Sequence, residues 1–142
     1  MGDGAVPPLM GWDPLRKSLF VGLGGCFGAL ARYWLGGWIV ERLGNGFPWA
    51  TFAINVSGSF LLGAFLGGVS GQGEKAAGLR LLVAVGFVGA YTTFSTYEWE
   101  TLRLAEGPGW VRAMAYALGS LVAGFGAVWL GARLAGWVFR GT

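Results

Sequence analysis

The fold of this chain is decided by the stretch Gly86-Phe87-Val88-Gly89-Ala90-Tyr91-Thr92-Thr93-Phe94-Ser95-Thr96-Tyr97. Its first half is small and apolar, whereas its second half places four hydroxyl residues among aromatic rings. Glycine permits unusual backbone dihedral angles, and hydroxyl groups can pair backbone atoms that have left a helix. The stretch therefore predicts a membrane helix that is broken midway, and ions are commonly bound at such breaks.

The composition around this stretch indicates an integral membrane protein. Only 12% of the 142 residues are charged and the mean hydropathy is +0.57, whereas a soluble domain carries roughly 25% charged residues. The chain has no histidine and one cysteine, Cys26, which excludes disulfide frameworks, zinc sites and Cys–His nucleophile pairs. We therefore do not expect an enzyme. The net charge of +3 fits anchoring of helix ends at the membrane surface rather than nucleic-acid binding.

The hydropathy pattern predicts one all-α domain with four transmembrane helices in the inner (plasma) membrane. Residues 1–14 form a polar lead-in without the pattern of a cleaved signal peptide. The channel domain is expected to occupy residues 15–142. Its spans are placed at about 18–40, 47–69, 79–104 and 111–135, each near the length needed to cross a bilayer.

Two polar side chains within the spans each have two interpretations. Arg32 lies near the end of the first span, where it either extends to the lipid surface or forms a vestibule cation that attracts anions. Asn55 shares one face of the second span with Thr51 and Ser59. Because an unpaired amide in lipid costs several kcal/mol by order of magnitude, Asn55 must either join two helices or line a polar pathway.

The spans also carry patterns typical of close packing and of a polar track. Gly24 and Gly28 form a GxxxG pair, which predicts close approach of another helix. The fourth span places Tyr116, Ser120 and Gly124 on one face. The uncharged cores of the last three spans contain no carboxylate, which favours a small anion over a cation as the transported ion. Backbone carbonyls freed at a break could nevertheless hold a fixed cation such as sodium.

The basic residues give little preference for one orientation in the membrane. Six lie on the side of the termini, namely Arg16, Lys17, Lys75, Arg80, Arg133 and Arg140. Four lie on the opposite side, namely Arg32, Arg42, Arg103 and Arg112. A chain with so weak a bias can insert both ways, and four helices are few for a pore. We therefore expect a dual-topology antiparallel homodimer.

Three motifs resemble the CrcB/Fluc fluoride channel family. They are Gly-Ala-Leu-Ala-Arg-Tyr at 28–33, Thr-Phe-Ala-Ile-Asn-Val-Ser-Gly-Ser-Phe at 51–60, and Gly-Phe-Val-Gly-Ala-Tyr-Thr-Thr-Phe-Ser-Thr at 86–96. The similarity extends over the chain after the lead-in, with the motifs in order and at compatible spacing. The resemblance implies an antiparallel homodimer with two pathways that export fluoride passively and so limit its toxicity in the cytoplasm.

The family resemblance also implies roles for individual residues. A structural sodium ion that is not transported would be held by the backbone carbonyls of Gly89 and Thr92. Arg32 would lie at the vestibule. We expect the fluoride pathway to comprise seven residues: Asn55, Phe94, Ser95, Thr96, Tyr97, Tyr116 and Ser120.

The chain departs from the family pattern at three positions. Tyr97 stands where the family has its second pore phenylalanine, Gly124 where a further hydroxyl is common, and Ala90 where the turn has a second glycine. Two other classes of membrane protein fit the sequence less well than a channel. A small multidrug exporter would need a glutamate within the first span, which is absent, and a membrane scaffold would not explain the clustered hydroxyls and aligned polar stripes.

Overall fold

A computed structural model describes residues 13–70, 72–106 and 109–140 as an all-helical chain. Four of its helical segments are long and apolar enough to cross a membrane: Pro14–Leu43, Trp49–Gly68, Ala77–Ala105 and Trp110–Val138. The predicted lead-in lies outside the described residues up to residue 12. We name the first two helices α1, Pro14–Leu43, and α2, Trp49–Gly68.

The first helix begins before the apolar run that predicted it, because its start is set by capping. Asp13 is the N-cap, and its carboxylate accepts a hydrogen bond from the Leu15 amide at 3.1 Å. Pro14 occupies the first helical position, where its missing N–H costs nothing. The helix ends at Gly44, whose φ of 72° is readily adopted only by glycine.

The third span is irregular at the stretch that predicted a break. A 3-10 turn at Gly73–Ala76 leads into α3, residues 77–91, most of which is π-helical over Arg80–Val88. Thr92 and Thr93 are extended, with ψ angles of 159° and 116°. Helix α4, Phe94–Ala105, then begins with Thr93 as its N-cap. The last helix, α5, spans Trp110–Arg140.

Small residues bring the helices together in two pairs, α1 with α3 and α2 with α5. Gly24 and Gly28 of α1 are buried against the backbone of α3, where an added Cβ would meet the main chain of Leu82 and Phe87. Gly63 of α2 lies against the backbone of α5 in the same way. The close approach predicted from the GxxxG pair is confirmed, and it holds α3 against α1.

Large apolar side chains are exposed on all four spans. The exposed fraction is 76% for Tyr33, 74% for Phe125 and 80% for Trp137. The described residues bury few side chains completely, and Tyr116 is the largest of them. A surface of this kind would aggregate in water, whereas in a bilayer it contacts lipid or another membrane helix.

Candidate functional site

Asn55 pairs the backbone that leaves the helix at Thr93. Its Nδ2 donates to the Thr93 carbonyl at 3.0 Å, and its Oδ1 accepts from the Thr93 amide at 2.8 Å. A single carboxamide thus satisfies both polar groups of one extended residue, which would be costly to leave unpaired in an apolar setting. Because a carboxamide has two N–H donors, one N–H of Asn55 is left over from this pairing.

The hydrogen bonds at the extended residues use amides that would pair the carbonyls of Gly89 and Thr92 in a continuous helix. In a continuous α-helix the Thr93 amide would donate to the Gly89 carbonyl, but here it donates to Asn55. The Thr96 amide would donate to the Thr92 carbonyl, but it donates to the Thr93 hydroxyl at 3.3 Å. The two carbonyls predicted to hold a cation are therefore those whose helical donors are used elsewhere.

The end of α3 is held in place by α2. Thr92 turns back on its own helix, with its hydroxyl and its amide both donating to the Val88 carbonyl, at 2.9 and 3.0 Å. The hydroxyls of Tyr91 and Ser57 lie 2.9 Å apart. Gly58 is buried against this corner, where a Cβ would meet the side chains of Thr92 and Tyr91. The position of Thr92 thus depends on the absence of a side chain at Gly58 of α2.

A cleft of about 480 Å³ lies between α2, the extended segment and α5. Its lining contains five of the predicted site residues: Asn55, Thr92, Phe94, Tyr97 and Ser120. The Ser120 hydroxyl oxygen is buried and has no hydrogen-bond partner among the described residues. None of the residues that line the cleft is charged. The cleft therefore offers unpaired hydroxyl and amide groups beside aromatic rings.

Aromatic rings continue from the cleft toward one end of the molecule. The rings of Phe94 and Tyr97 lie 5.7 Å apart between centroids, and Tyr97 lies 5.4 Å from Tyr116. Tyr116 is only 1% exposed and meets Phe47 edge to face at 5.5 Å. The Tyr97 hydroxyl donates to the Ala117 carbonyl of α5 at 3.1 Å.

A second polar group at this end was not predicted as a site. The two carboxyl oxygens of Glu100 accept hydrogen bonds from the Thr51 and Tyr116 hydroxyls, both at 2.8 Å. Glu100 also lines an outer pocket of about 380 Å³. In the sequence, the charged residues Glu98, Glu100, Arg103 and Glu106 indicate either a polar helical tail or the emergence of the chain into water, so no site was expected at Glu100. The one local signal is that Tyr97 and Glu100, three positions apart, share a helix face, which places Glu100 beside the aromatic run but does not indicate its partners.

Other predicted site residues lie apart from the cleft. Ser95 and Thr96 are exposed at the start of α4, and the Thr93 hydroxyl donates to that of Thr96 at 3.0 Å, which makes them part of the helix cap. Arg32 is half-buried on α1, away from the residues that line the cleft. Gly89 is exposed. The roles expected for these residues stay predictions.

The described residues contain no cluster of three or more His, Cys, Asp or Glu side chains that could hold a metal ion. Four apolar spans and an uncharged cleft between three of them define a multi-pass membrane protein of the cell membrane. The chain belongs to the family described as CrcB-like protein, Camphor Resistance (CrcB), whose model matches residues 19–132. The family expected from the three motifs is therefore confirmed.

Similar proteins of several bacteria carry the name fluoride-specific ion channel FluC. The protein of Acidobacterium capsulatum is 52% identical over 115 residues, which covers 81% of this chain and 92% of that protein. A protein of Thermus thermophilus is 45% identical, covering 86% and 95% of the two chains. That of Solibacter usitatus is also 45% identical, covering 84% and 98%. The similarity thus extends over nearly the whole length of these relatives.

Proposed function

We propose that the chain is a fluoride-selective channel, through which fluoride leaves the cell passively so that its toxicity in the cytoplasm falls. The observation that carries this proposal is the cleft, because its polar groups suit a small anion. The unpaired Ser120 hydroxyl and the remaining N–H of Asn55 are hydrogen-bond donors. The names of the related proteins support fluoride as that anion.

The chemistry of the cleft matches what fluoride needs in order to lose its water. A small, strongly hydrated anion enters an apolar region only if donors replace its hydration shell. Aromatic ring edges carry partial positive charge, so Phe94 and Tyr97 add favourable contacts beside these donors. A proton-coupled exporter of cations would instead present a carboxylate, and no residue that lines this cleft carries one.

We further propose that the third helix is broken within the membrane and holds a structural sodium ion that is not transported. The carbonyls of Gly89 and Thr92 suit this role, since their helical donors are directed to Asn55 and to the Thr93 hydroxyl. Carbonyl oxygens are suitable ligands for a hard monovalent cation. A bound sodium would offset the cost of exposed carbonyl dipoles at membrane depth.

The proposed sodium site also supports an antiparallel homodimer. Gly89 is exposed in the single chain, which places its carbonyl at a surface that a second copy would cover. Two carbonyls from each of two chains would provide four ligands for a sodium ion on the twofold axis of the dimer. The weak charge bias allows the inverted orientation that such a dimer requires. Membrane lipid would cover the remaining apolar surface.

Efflux from liposomes tests the proposed function. Liposomes that contain the purified protein and are loaded with fluoride should release fluoride when the membrane potential is allowed to equilibrate. Liposomes loaded with chloride should retain chloride under the same conditions. The Phe94→Ile variant should lose at least tenfold in fluoride efflux, because the aliphatic side chain removes the ring edge from the cleft. A fluoride-selective electrode in the external solution, with a chloride-selective electrode for the chloride-loaded liposomes, gives the rates.

Phe27→Ile is a matched control for this experiment, because Phe27 is 65% exposed and Phe94 is 67% exposed. Phe27 lies on α1, outside the cleft, and its variant should conduct like the wild type. Equal release of chloride and fluoride by the wild type would contradict the proposed function. Wild-type efflux from Phe94→Ile would remove that ring from the pathway.

Removal of sodium should destabilise the purified protein. A ligand that binds only the folded state, present at about 100 times its dissociation constant, stabilises that state by about 2.7 kcal/mol. We therefore expect a clear fall in melting temperature when sodium chloride is replaced by N-methylglucamine chloride. Replacement of chloride by nitrate at constant sodium is the control for general salt effects. Equal melting temperatures with the two cations would refute a structural sodium site.

A further inference from the structure

Two cavities have residues of α4 in their linings. The cleft at the extended segment has Tyr97 in its lining, whereas the outer pocket is lined by Phe47, Glu100 and Arg103. The two cavities share no lining residue. If the cleft carries fluoride, as proposed above, an ion that leaves it toward the outer pocket must pass the residues between the two cavities.

Two tyrosines separate the cavities. Tyr97 borders the cleft and contacts the ring of Tyr116, with centroids 5.4 Å apart. Tyr116 in turn contacts Phe47 and donates to Glu100, which both line the outer pocket. Tyr116 is buried and tied to Glu100. Tyr97 is only half-buried and is therefore the more movable of the two.

A hydrogen bond of the Tyr97 hydroxyl fixes the ring between the two cavities. It donates to the Ala117 carbonyl at 3.1 Å and so joins α4 directly to α5. A hydroxyl has a single hydrogen, so while this bond exists the hydroxyl cannot also donate to an anion. Only the ring of Tyr97 then faces the cleft. The hydroxyl that distinguishes this chain from the family pattern is thus occupied by the neighbouring helix.

We infer that Tyr97 is a positioning residue whose hydrogen bond to Ala117 closes the passage between the two cavities and sets the rate of fluoride flow. Passage of an ion requires the Tyr97 ring to move, and that movement breaks the bond. A neutral hydrogen bond of this kind slows such a step by about two- to tenfold. The inference rests on the proposed function, but it concerns the rate and not the identity of the ion.

The Tyr97→Phe variant tests this inference, because it keeps the ring and removes the donor. Fluoride efflux from liposomes should rise about two- to tenfold, with chloride still retained. Replacement of Tyr97 by para-aminophenylalanine restores a donor at the same position and should return the rate to that of the wild type. Should Tyr97→Phe fail to fold, para-methylphenylalanine supplies a variant without a donor for the same comparison.

Thr101→Val is the matched control. It removes the hydrogen bond that the Thr101 hydroxyl donates to the Tyr97 carbonyl at 2.8 Å, which lies within α4 and does not join two helices. Its efflux rate should equal that of the wild type. Tyr97→Phe efflux that is unchanged, slower or open to chloride would overturn the inference, as would equal acceleration by Thr101→Val. Absence of fluoride efflux from the wild type would instead refute the proposed function.

Discussion

Replacing Asn55 with alanine is expected to reduce fluoride efflux more than tenfold and to destabilise the protein. The substitution leaves both the amide and the carbonyl of Thr93 without the partners they have at 2.8 and 3.0 Å. Each unpaired buried group costs about 1–3 kcal/mol, so the loss should reach about 2–6 kcal/mol in the free energy of unfolding. Thermal unfolding in detergent and fluoride efflux from liposomes measure the two effects.

Gln72→Ala is the control for this prediction, because Gln72 carries the same carboxamide group in an exposed connection. Its efflux and melting temperature should match the wild type. We expect the efflux of Asn55→Ala to fall by more than tenfold, since Thr93 follows Thr92, one of the proposed sodium ligands, and precedes Phe94, the start of the aromatic run. Normal efflux from Asn55→Ala would show that the pairing with Thr93 is dispensable.

Replacing Gly58 with alanine is expected to displace the corner at Thr92. A Cβ at this position would overlap the Thr92 side chain and would lie 3.1 Å from the Tyr91 ring. Overpacking of this kind costs about 1–3 kcal/mol. The structure can relieve it by rotating the Thr92 side chain, which would break its hydroxyl bond to Val88, or by moving the backbone at Thr92. We expect at least a tenfold loss of fluoride efflux and a weaker dependence of the melting temperature on sodium.

Gly22→Ala is the matched control for Gly58→Ala. A Cβ at Gly22 would meet no atom within 4 Å, and alanine favours a helix over glycine by about 1 kcal/mol. The control should therefore fold at least as well as the wild type and conduct normally. If Gly58→Ala conducted and bound sodium like Gly22→Ala, the tight contact between α2 and Thr92 would have no functional role.

The bounds placed from hydropathy and the helices of the structure differ by a few residues, and the differences have physical causes. The third span was placed at 79–104 and occupies Ala77–Ala105. The first begins four residues before its predicted start at Ser18, because the Asp13 cap and Pro14 start a helix ahead of the apolar run. Hydropathy reports where the chain meets lipid, whereas capping decides where the helix begins.

The partner of Asn55 could not be predicted from the sequence. Its position on a polar face required a partner, and the sequence allowed either another helix or a pathway. The structure brings it to Thr93, which is 38 residues away in the chain, and to the edge of the cleft. Both surroundings are present at once, because the carboxamide pairs the backbone on one side and lines the cleft on the other.

Glu100 differs from Asn55, because its sequence neighbours gave no reason to expect a partner on another helix. Charged neighbours placed it in a polar tail, since a carboxylate in an apolar segment is costly. The structure supplies two hydroxyl donors, from Thr51 on α2 and Tyr116 on α5. No local pattern predicts that three residues from three helices meet.

The membrane class, the number of spans and the family could be predicted from the sequence. These properties follow from local composition and from motifs within single segments, which the order of residues contains directly. The tertiary structure alone decided that Asn55 pairs Thr93, that Glu100 joins Thr51 and Tyr116, and that the Tyr97 hydroxyl reaches Ala117. Those contacts depend on how the helices are set against one another, and hydrogen bonds form only when that arrangement brings donor and acceptor within about 3 Å.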